Sequence, residues 1–305
     1  MTAFHGIVPP LVTPMRADGS LDLDSLDRLV DHLLGAGVDG LFVLGSSGQV
    51  AYLTDAQRQA VMIRVVERAA GRVPVVTGVT DLTAARVAEQ AKRAEAAGVD
   101  GVVVTAPLYC LNDEAEISRH FRLVAAGIGI PVIAYDIPVR VHVKLSARLL
   151  LDLARDGVIA AVKDSSGDDV AFRRLVAANA EAGHPLSLLT GHEVVCDGMF
   201  LLGADGAVPG LANVDPWGYV RMWNSARAGD WGSVAREQAR LSELFEIAFA
   251  PRGRSGDASG IGAFKAALAH LGIIADPGMP QPLEALDETD RKAVAHILAR
   301  TGLSA

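Results

Sequence analysis

Lysine is scarce in this 305-residue chain, with five lysines against 23 arginines, so each position carries information. Lys92, Lys265 and Lys292 fall in helical patterns and Lys144 follows a loop. Only Lys163 stands directly at the end of an apolar, strand-like run, Val158-Ile-Ala-Ala-Val162. A bland account makes it a solvated residue ahead of a helix capped by Ser166 or Asp168. The chemical account makes it a nucleophile. An amine at an apolar mouth loses hydration of its charged form, and a neutral amine attacks a ketone to give a Schiff base. The iminium is an electron sink, so a neighbouring C–C bond can form or break. That chemistry calls for no metal and no cofactor, and none is expected.

Two other stretches end strand-like runs with polar groups. Leu44-Gly-Ser-Ser-Gly-Gln49 has glycines at 45 and 48 that permit a tight turn. Ser46, Ser47 and the loop amides could then grip a carboxylate, although a plain βα loop with a serine cap has the same composition. Ala134-Tyr-Asp-Ile-Pro-Val-Arg140 offers Tyr135, a phenol able to relay protons if held in place. It also offers Arg140, able to hold a carboxylate in a two-pronged grip. Read singly, these are as easily a packed tyrosine and a surface arginine. Together a carboxylate grip, a tyrosine and a lysine fit a 2-keto acid.

The elements that must position these residues read as alternating strands and helices. Strands are expected at Ile7–Val12, Leu41–Leu44, Val73–Gly78, Val102–Thr105, Pro131–Asp136, Val158–Lys163, Leu186–Thr190 and Gly206–Val208. Amphipathic helices are expected at Asp22–Leu34, Leu82–Ala97, Glu114–Ala126, Ser146–Ala154 and Val170–Ala182. The recurring Gly35-Ala-Gly-Val-Asp-Gly40, Ala96-Ala-Gly-Val-Asp-Gly101 and Gly203-Ala-Asp-Gly206 join helix ends to strand starts. The economical solution is an α/β fold, a (β/α)8 TIM barrel over residues 1–228, with an open doubly wound sheet as the rival. After about Ala228 the strand signal stops. Asp230–Phe249, Gly260–Leu271 and Glu284–Arg300 suggest a C-terminal helical extension, residues 229–305, packed on the barrel. A barrel carries its chemistry at the C-terminal ends of its strands, where Lys163 lies.

Composition narrows the function classes. A net charge of −8 argues against nucleic acid as a partner. No apolar run reaches the roughly 18 residues of a membrane span, and the N-terminal residues lack the basic start and apolar stretch of a signal peptide. Cys110 and Cys196 form neither a disulfide framework nor a zinc spacing, and the histidines share no metal spacing. A cytoplasmic location is expected. A phosphate-binding barrel is a weak rival, because the glycine-rich 203–210 stretch has no basic residue beside it.

In order and spacing, "GSSGQ" (45–49), "YDIPVR" (135–140), "VKDSSGD" (162–168) and "GADGAV" (203–208) resemble the dihydrodipicolinate synthase / N-acetylneuraminate lyase family. The resemblance runs from about Gly6 to the end. It implies a lyase in which Lys163 forms the Schiff base with pyruvate and Tyr135 carries protons. Ser46 and Ser47 would bind carboxylate, Ser47 continuing the relay. Gly45, Ser165, Gly191 and Val208 would line the substrate site. It implies a second tyrosine lent by a neighbouring subunit, for which Tyr109 is the candidate, and a homotetramer built as a dimer of dimers. The implied partners are a small 2-keto acid and an aldehyde.

The departures from the family pattern bear on the substrate. Gln49 stands where a glutamate is usual, and Val141 where Thr or Ser is usual. Asp55 and Arg58 stand where some synthases carry histidines of a lysine-feedback site, so lysine inhibition is not expected. Arg140 resembles the synthase arginine that holds the second substrate's carboxylate, which favours pyruvate plus L-aspartate semialdehyde. His192 and Glu193 occupy the place where sialic acid lyases keep acidic residues on sugar hydroxyls. That favours, as the alternative to the expected synthase-like reaction, an aldolase or dehydratase of a 2-keto-3-deoxy sugar acid or an N-acetylneuraminate-type substrate. A non-catalytic 2-keto acid sensor is the remaining alternative, and an intact lysine, tyrosine and hydroxyl pair argue against it.

Overall fold

The structure, a computed structural model, describes residues 4–303. Eight parallel strands form one sheet: β1 (Gly6–Ile7), β2 (Leu41–Val43), β3 (Val75–Gly78), β4 (Gly101–Thr105), β5 (Val132–Asp136), β6 (Ala161–Asp164), β7 (Ser187–Thr190) and β8 (Gly206–Ala207). The order is β1-β8-β7-β6-β5-β4-β3-β2, so each strand after the first pairs with its sequence neighbour, and β1 pairs with β8. The remaining gap closes through the residues after β1. Phe42 N donates to Pro9 O at 3.0 Å and Leu11 N to Phe42 O at 2.8 Å. The expected first strand, Ile7–Val12, is interrupted because Pro9 and Pro10 have no N–H to give to a ladder. This is the TIM barrel that the alternation predicts.

A helix follows each strand, at Leu23–Gly35, Asp55–Ala69, Ala84–Ala96, Glu114–Ala125, Ala147–Arg155, Asp169–Glu181, Cys196–Leu202 and Pro216–Arg227. The helices at 55–69, 196–202 and 216–227 are absent from the sequence reading. The first had a visible signal, a capping box in which Gln57 N donates to Thr54 Oγ1 and Thr54 N to Gln57 Oε1. β6 starts three residues later than expected because Val158 N still closes the preceding helix, donating to Leu153 O at 2.8 Å.

The Asp-Gly repeat does more than turn the chain. Asp39, Asp100 and Asp205 each accept, through a side-chain oxygen, the amide of Ile7, Val75 and Leu188 on the neighbouring strand, at 2.8, 2.8 and 2.7 Å. The same aspartates donate their own amides to Ile7, Val75 and Leu188 carbonyls. Each therefore locks strand register at the N-terminal end of the barrel. The glycines before them, Gly37 and Gly98, sit at φ near +80°, which an L side chain resists.

Beyond Arg227 the tail holds helices Trp231–Phe245, Gly262–His270 and Glu288–Arg300. The second is entered by a π-helical turn, Asp257–Ile261, and the third starts four residues later than expected because Asp287 caps it by accepting from Asp290 N. Leu241, Leu244, Phe264, Leu268 and Leu298 join one continuous apolar core with barrel residues such as Ile7, Phe42 and Val104. No helix among the described residues is long and apolar enough to cross a membrane.

Candidate active site

The register of β4, β5 and β6 sets Thr105, Tyr135 and Lys163 side by side, since Thr105 pairs with Tyr135 and Tyr135 with Lys163. Paired residues on parallel strands point to the same face, here the interior of the mouth. Lys163 is 4% exposed and Tyr135 5%. Lys163 Nζ lies 4.1 Å from the centre of the Tyr135 ring and 4.9 Å from that of Phe42. Its positive charge is thus held against two aromatic faces.

The phenol is where the polar groups meet. Burial alone would push the Tyr135 hydroxyl upward. The Lys163 charge and hydrogen bonding with Ser46, Lys163 and Ser165 outweigh that and hold it below the ordinary tyrosine value of 10.0. Such a phenol can give and take a proton more readily than a free tyrosine.

Ser46 and Ser47 lie on the turn after β2, both partly exposed to the mouth. Glycine is required on this turn, because a side chain at Gly45 would strike the Phe42 ring at 2.7 Å. Gln49, at φ 57°, closes it by donating its amide to Ser46 O at 2.9 Å. Across the mouth, Gly191 packs on Ser165 and donates to Asp164 O at 2.6 Å, while buried Val208 donates to Thr190 O at 2.7 Å.

Glu193 turns its carboxylate into the same space. Leu211 N donates to Glu193 Oε2 at 2.6 Å. A methyl group placed on Gly210 would lie 3.1 Å from Glu193 Oε1 and 3.3 Å from Ser47 Oγ, so the bare backbone there lets the two groups approach each other. Burial pushes the Glu193 carboxyl up to about 7, although the Leu211 and Gly210 amides and the Lys163 charge pull the other way. His192 does not join it. Its ring nitrogen Nδ1 lies 3.1 Å from Asp169 Oδ1 on the exposed side.

Arg140 stands on the helical turn Pro138–Val141, 47% exposed, with its guanidinium engaged by both carboxylate oxygens of Asp257. Tyr52 donates to the same carboxylate at 3.2 Å. Ser46, Tyr135, Thr105, Tyr52, Arg140 and Asp257 border a cavity of about 230 Å³. A larger cleft of about 550 Å³ opens at the N-terminal ends of β5 to β7 but is lined mostly by apolar residues and backbone, away from every strand-end residue above. Tyr109 is not brought to Lys163 within the chain. It is 94% exposed, at φ 72°.

Two buried arrangements behind the mouth escape a linear reading. Lys144 makes ion pairs with Asp136 and Asp164, the residues that follow Tyr135 and Lys163, and so pins the ends of β5 and β6 together. Asp136 also accepts from Leu145 N; burial pushes its carboxyl to about 6 despite the Lys144 ammonium. Lys265, fully buried in the tail, donates to Gln49 Oε1 at 2.7 Å and Gly278 O at 2.8 Å. Asp55 and Arg58 lie outside the mouth, with Arg58 near Asp55 and Asp81 at 3.9 and 3.8 Å. Among the described residues no three His, Cys, Asp or Glu side chains gather as a metal site.

Comparison with known proteins places the chain as a whole. The chain is 36% identical over 299 residues to an "Uncharacterized DapA-like lyase" of Halobacterium salinarum, covering 98% of this chain and 94% of that one. It is 31% identical to a 4-hydroxy-tetrahydrodipicolinate synthase of Phenylobacterium zucineum, with 98% of each covered. It is 32% identical to the putative 2-dehydro-3-deoxy-D-gluconate aldolase YagE of Escherichia coli, again over 98% of each. The crystal structure of YagE in complex with pyruvate superposes with a TM-score of 0.92 at 29% identity, over 98% of this chain and 99% of that one. The profile of the Dihydrodipicolinate synthetase family matches residues 3–301, and the chain belongs to that family of lyases.

Proposed function

We propose that the protein is a Schiff-base lyase that joins or separates pyruvate, or a closely related 2-keto acid, and an aldehyde. The observation that carries this is the buried Lys163 amine, 4.1 Å from the Tyr135 ring, in a mouth also bordered by Ser46, Ser47 and Glu193. Lys163 must shed a proton before it attacks, and the Tyr135 phenol, held below its ordinary value, is the group placed to move it. The amine adds to the keto carbon and a water leaves, with its proton supplied through Tyr135. Ser46, Ser47 and the backbone of their turn hold the substrate carboxylate. Loss of a proton from the adjacent carbon gives an enamine, which adds to the aldehyde carbon. Water then returns to the iminium carbon, releasing product and the free amine. The lysine supplies the electron sink, so the reading calls for no metal or cofactor. Replacing Lys163 by alanine should lower turnover by several orders of magnitude in a protein that keeps its circular dichroism and melting behaviour. A variant retaining near-native rate would overturn the reading.

For the second substrate, pyruvate plus L-aspartate semialdehyde needs an arginine free to take a carboxylate, and Arg140 is already paired with Asp257. A 2-keto-3-deoxy sugar acid needs hydroxyl acceptors beyond the keto acid; Asp257 supplies a carboxylate on the wall of the cavity, and Glu193 supplies a second beside Ser47 and Gly210. The sugar-acid reading is therefore the one the geometry supports better. Tyr109 and Leu111, 94% and 80% exposed, leave apolar surface in solvent, as residues lent to a neighbouring copy in a tetramer would.

A further inference from the structure

Asp257 reaches the mouth from the tail, 117 residues from Arg140. It is the first residue of the π-helical turn Asp257–Ile261, and its side chain is 18% exposed where that of Arg140 is 47% exposed. Both arginine Nη atoms donate to it, and the Tyr52 hydroxyl donates to Oδ2 at 3.2 Å. Three donors from two other elements therefore converge on one carboxylate. Thr105 and Tyr135 border the same cavity, which makes it continuous with the Lys163 mouth.

A guanidinium gripped by two carboxylate oxygens has its paired Nη fork occupied and its charge offset, although other N–H donors remain. An incoming carboxylate would have to displace Asp257, leaving its charge without its main partner, or sit beside it against like-charge repulsion. A hydroxyl meets neither obstacle. It can donate to an Asp257 oxygen and accept from a remaining guanidinium or threonine donor, without adding charge.

Resting on the Schiff-base reading of Lys163, we propose that Asp257 is a specificity-determining residue. By holding Arg140 it closes the far end of the cavity to carboxylate-bearing aldehydes and fits it to a short, uncharged, hydroxyl-bearing aldehyde. Arg140 thereby acts as a neutralised donor in a hydroxyl subsite rather than as an anion hook.

The test compares native protein, Asp257→Asn, Asp257→Ser and Asp257→Asn/Arg140→Ala, each shown to be folded by circular dichroism. Succinate, a non-reacting carboxylate probe, is titrated calorimetrically. Removing the Asp257 charge should tighten succinate binding at least tenfold in either single variant, and the gain should vanish in the double variant. No gain, or a gain that survives loss of Arg140, would overturn the proposal. In parallel, kcat/KM with pyruvate is measured for D-glyceraldehyde and for succinate semialdehyde. Native protein should favour D-glyceraldehyde, and Asp257→Asn should move the ratio at least tenfold toward succinate semialdehyde. A native preference for the carboxylated aldehyde would also overturn it. If native protein turns over neither aldehyde and pyruvate cannot be trapped on Lys163, the Schiff-base reading fails by itself, and the succinate titration still decides the role of Asp257.

Discussion

Lys163 and Tyr135 are paired residues on neighbouring parallel strands, and the lysine nitrogen stands 4.1 Å from the centre of the phenol ring. The pairing has two consequences. The ladder of backbone hydrogen bonds fixes the relative height of the two side chains, so their proximity does not depend on a loop. The lysine charge also acts on the phenol at short range, which is why Tyr135 falls below its ordinary value despite full burial.

Tyr135→Phe keeps the ring, and so the contact with Lys163, while removing the proton carrier. Turnover should fall by about two to four orders of magnitude, the range typical of a lost general acid–base group. Pyruvate affinity should change far less. Comparing single-turnover rate with pyruvate Kd checks this, and equal losses in both would contradict a proton role.

Glu193 makes a pH prediction whose sign follows from its raised value. Its folded value of about 7 lies above the ordinary 4.5, so the folded protein binds more protons between those limits. Stability should therefore fall as pH rises from about 4.5 to 7. Glu193→Gln should remove that part of the slope. Urea melts of both proteins at pH 5 and pH 7.5 measure it; native protein should lose on the order of a few kcal/mol relative to the variant. Parallel curves would mean that the carboxyl is better solvated than the structure indicates.

Gln49 and Lys265 make a third prediction. Lys265 is buried with two neutral acceptors, and burial lowers its value to about 7 against a weak opposing pull from Asp276. Unfolded protein then binds more protons between about 7 and 10.5, so this lysine's contribution favours folding more as pH rises through that window and is lost as pH falls through 7. Gln49→Glu would supply a buried partner charge and flatten the dependence, and Lys265→Met would abolish it. Thermal melts of the three proteins between pH 7 and 9 test this. A native slope no steeper than that of Lys265→Met would contradict it.

The strand-end residues were legible because a polar group closing an apolar run has few structural explanations. Tyr135, Lys163 and the Ser46-Ser47 turn each stand out that way as candidates, and the eight strands follow from alternation and the Asp-Gly joints. What the joints do, with Asp39, Asp100 and Asp205 holding the neighbouring strand, depends on which strands are adjacent in space. The Arg140–Asp257 and Gln49–Lys265 contacts span 117 and 216 residues. Nothing in a local pattern pairs them. Arg140 thus reads in sequence as a free anion hook and proves to be occupied. Lys144 reads as a loop residue because its partners, Asp136 and Asp164, lie on two different strands.

The most direct measurement is borohydride reduction of the protein in the presence of pyruvate, followed by peptide mass spectrometry. The account predicts one stable adduct of reduced pyruvate on Lys163, with none on Lys144 or Lys265 and none anywhere in Lys163→Ala. An unmodified Lys163 in folded protein, or an adduct centred on another lysine, would contradict it.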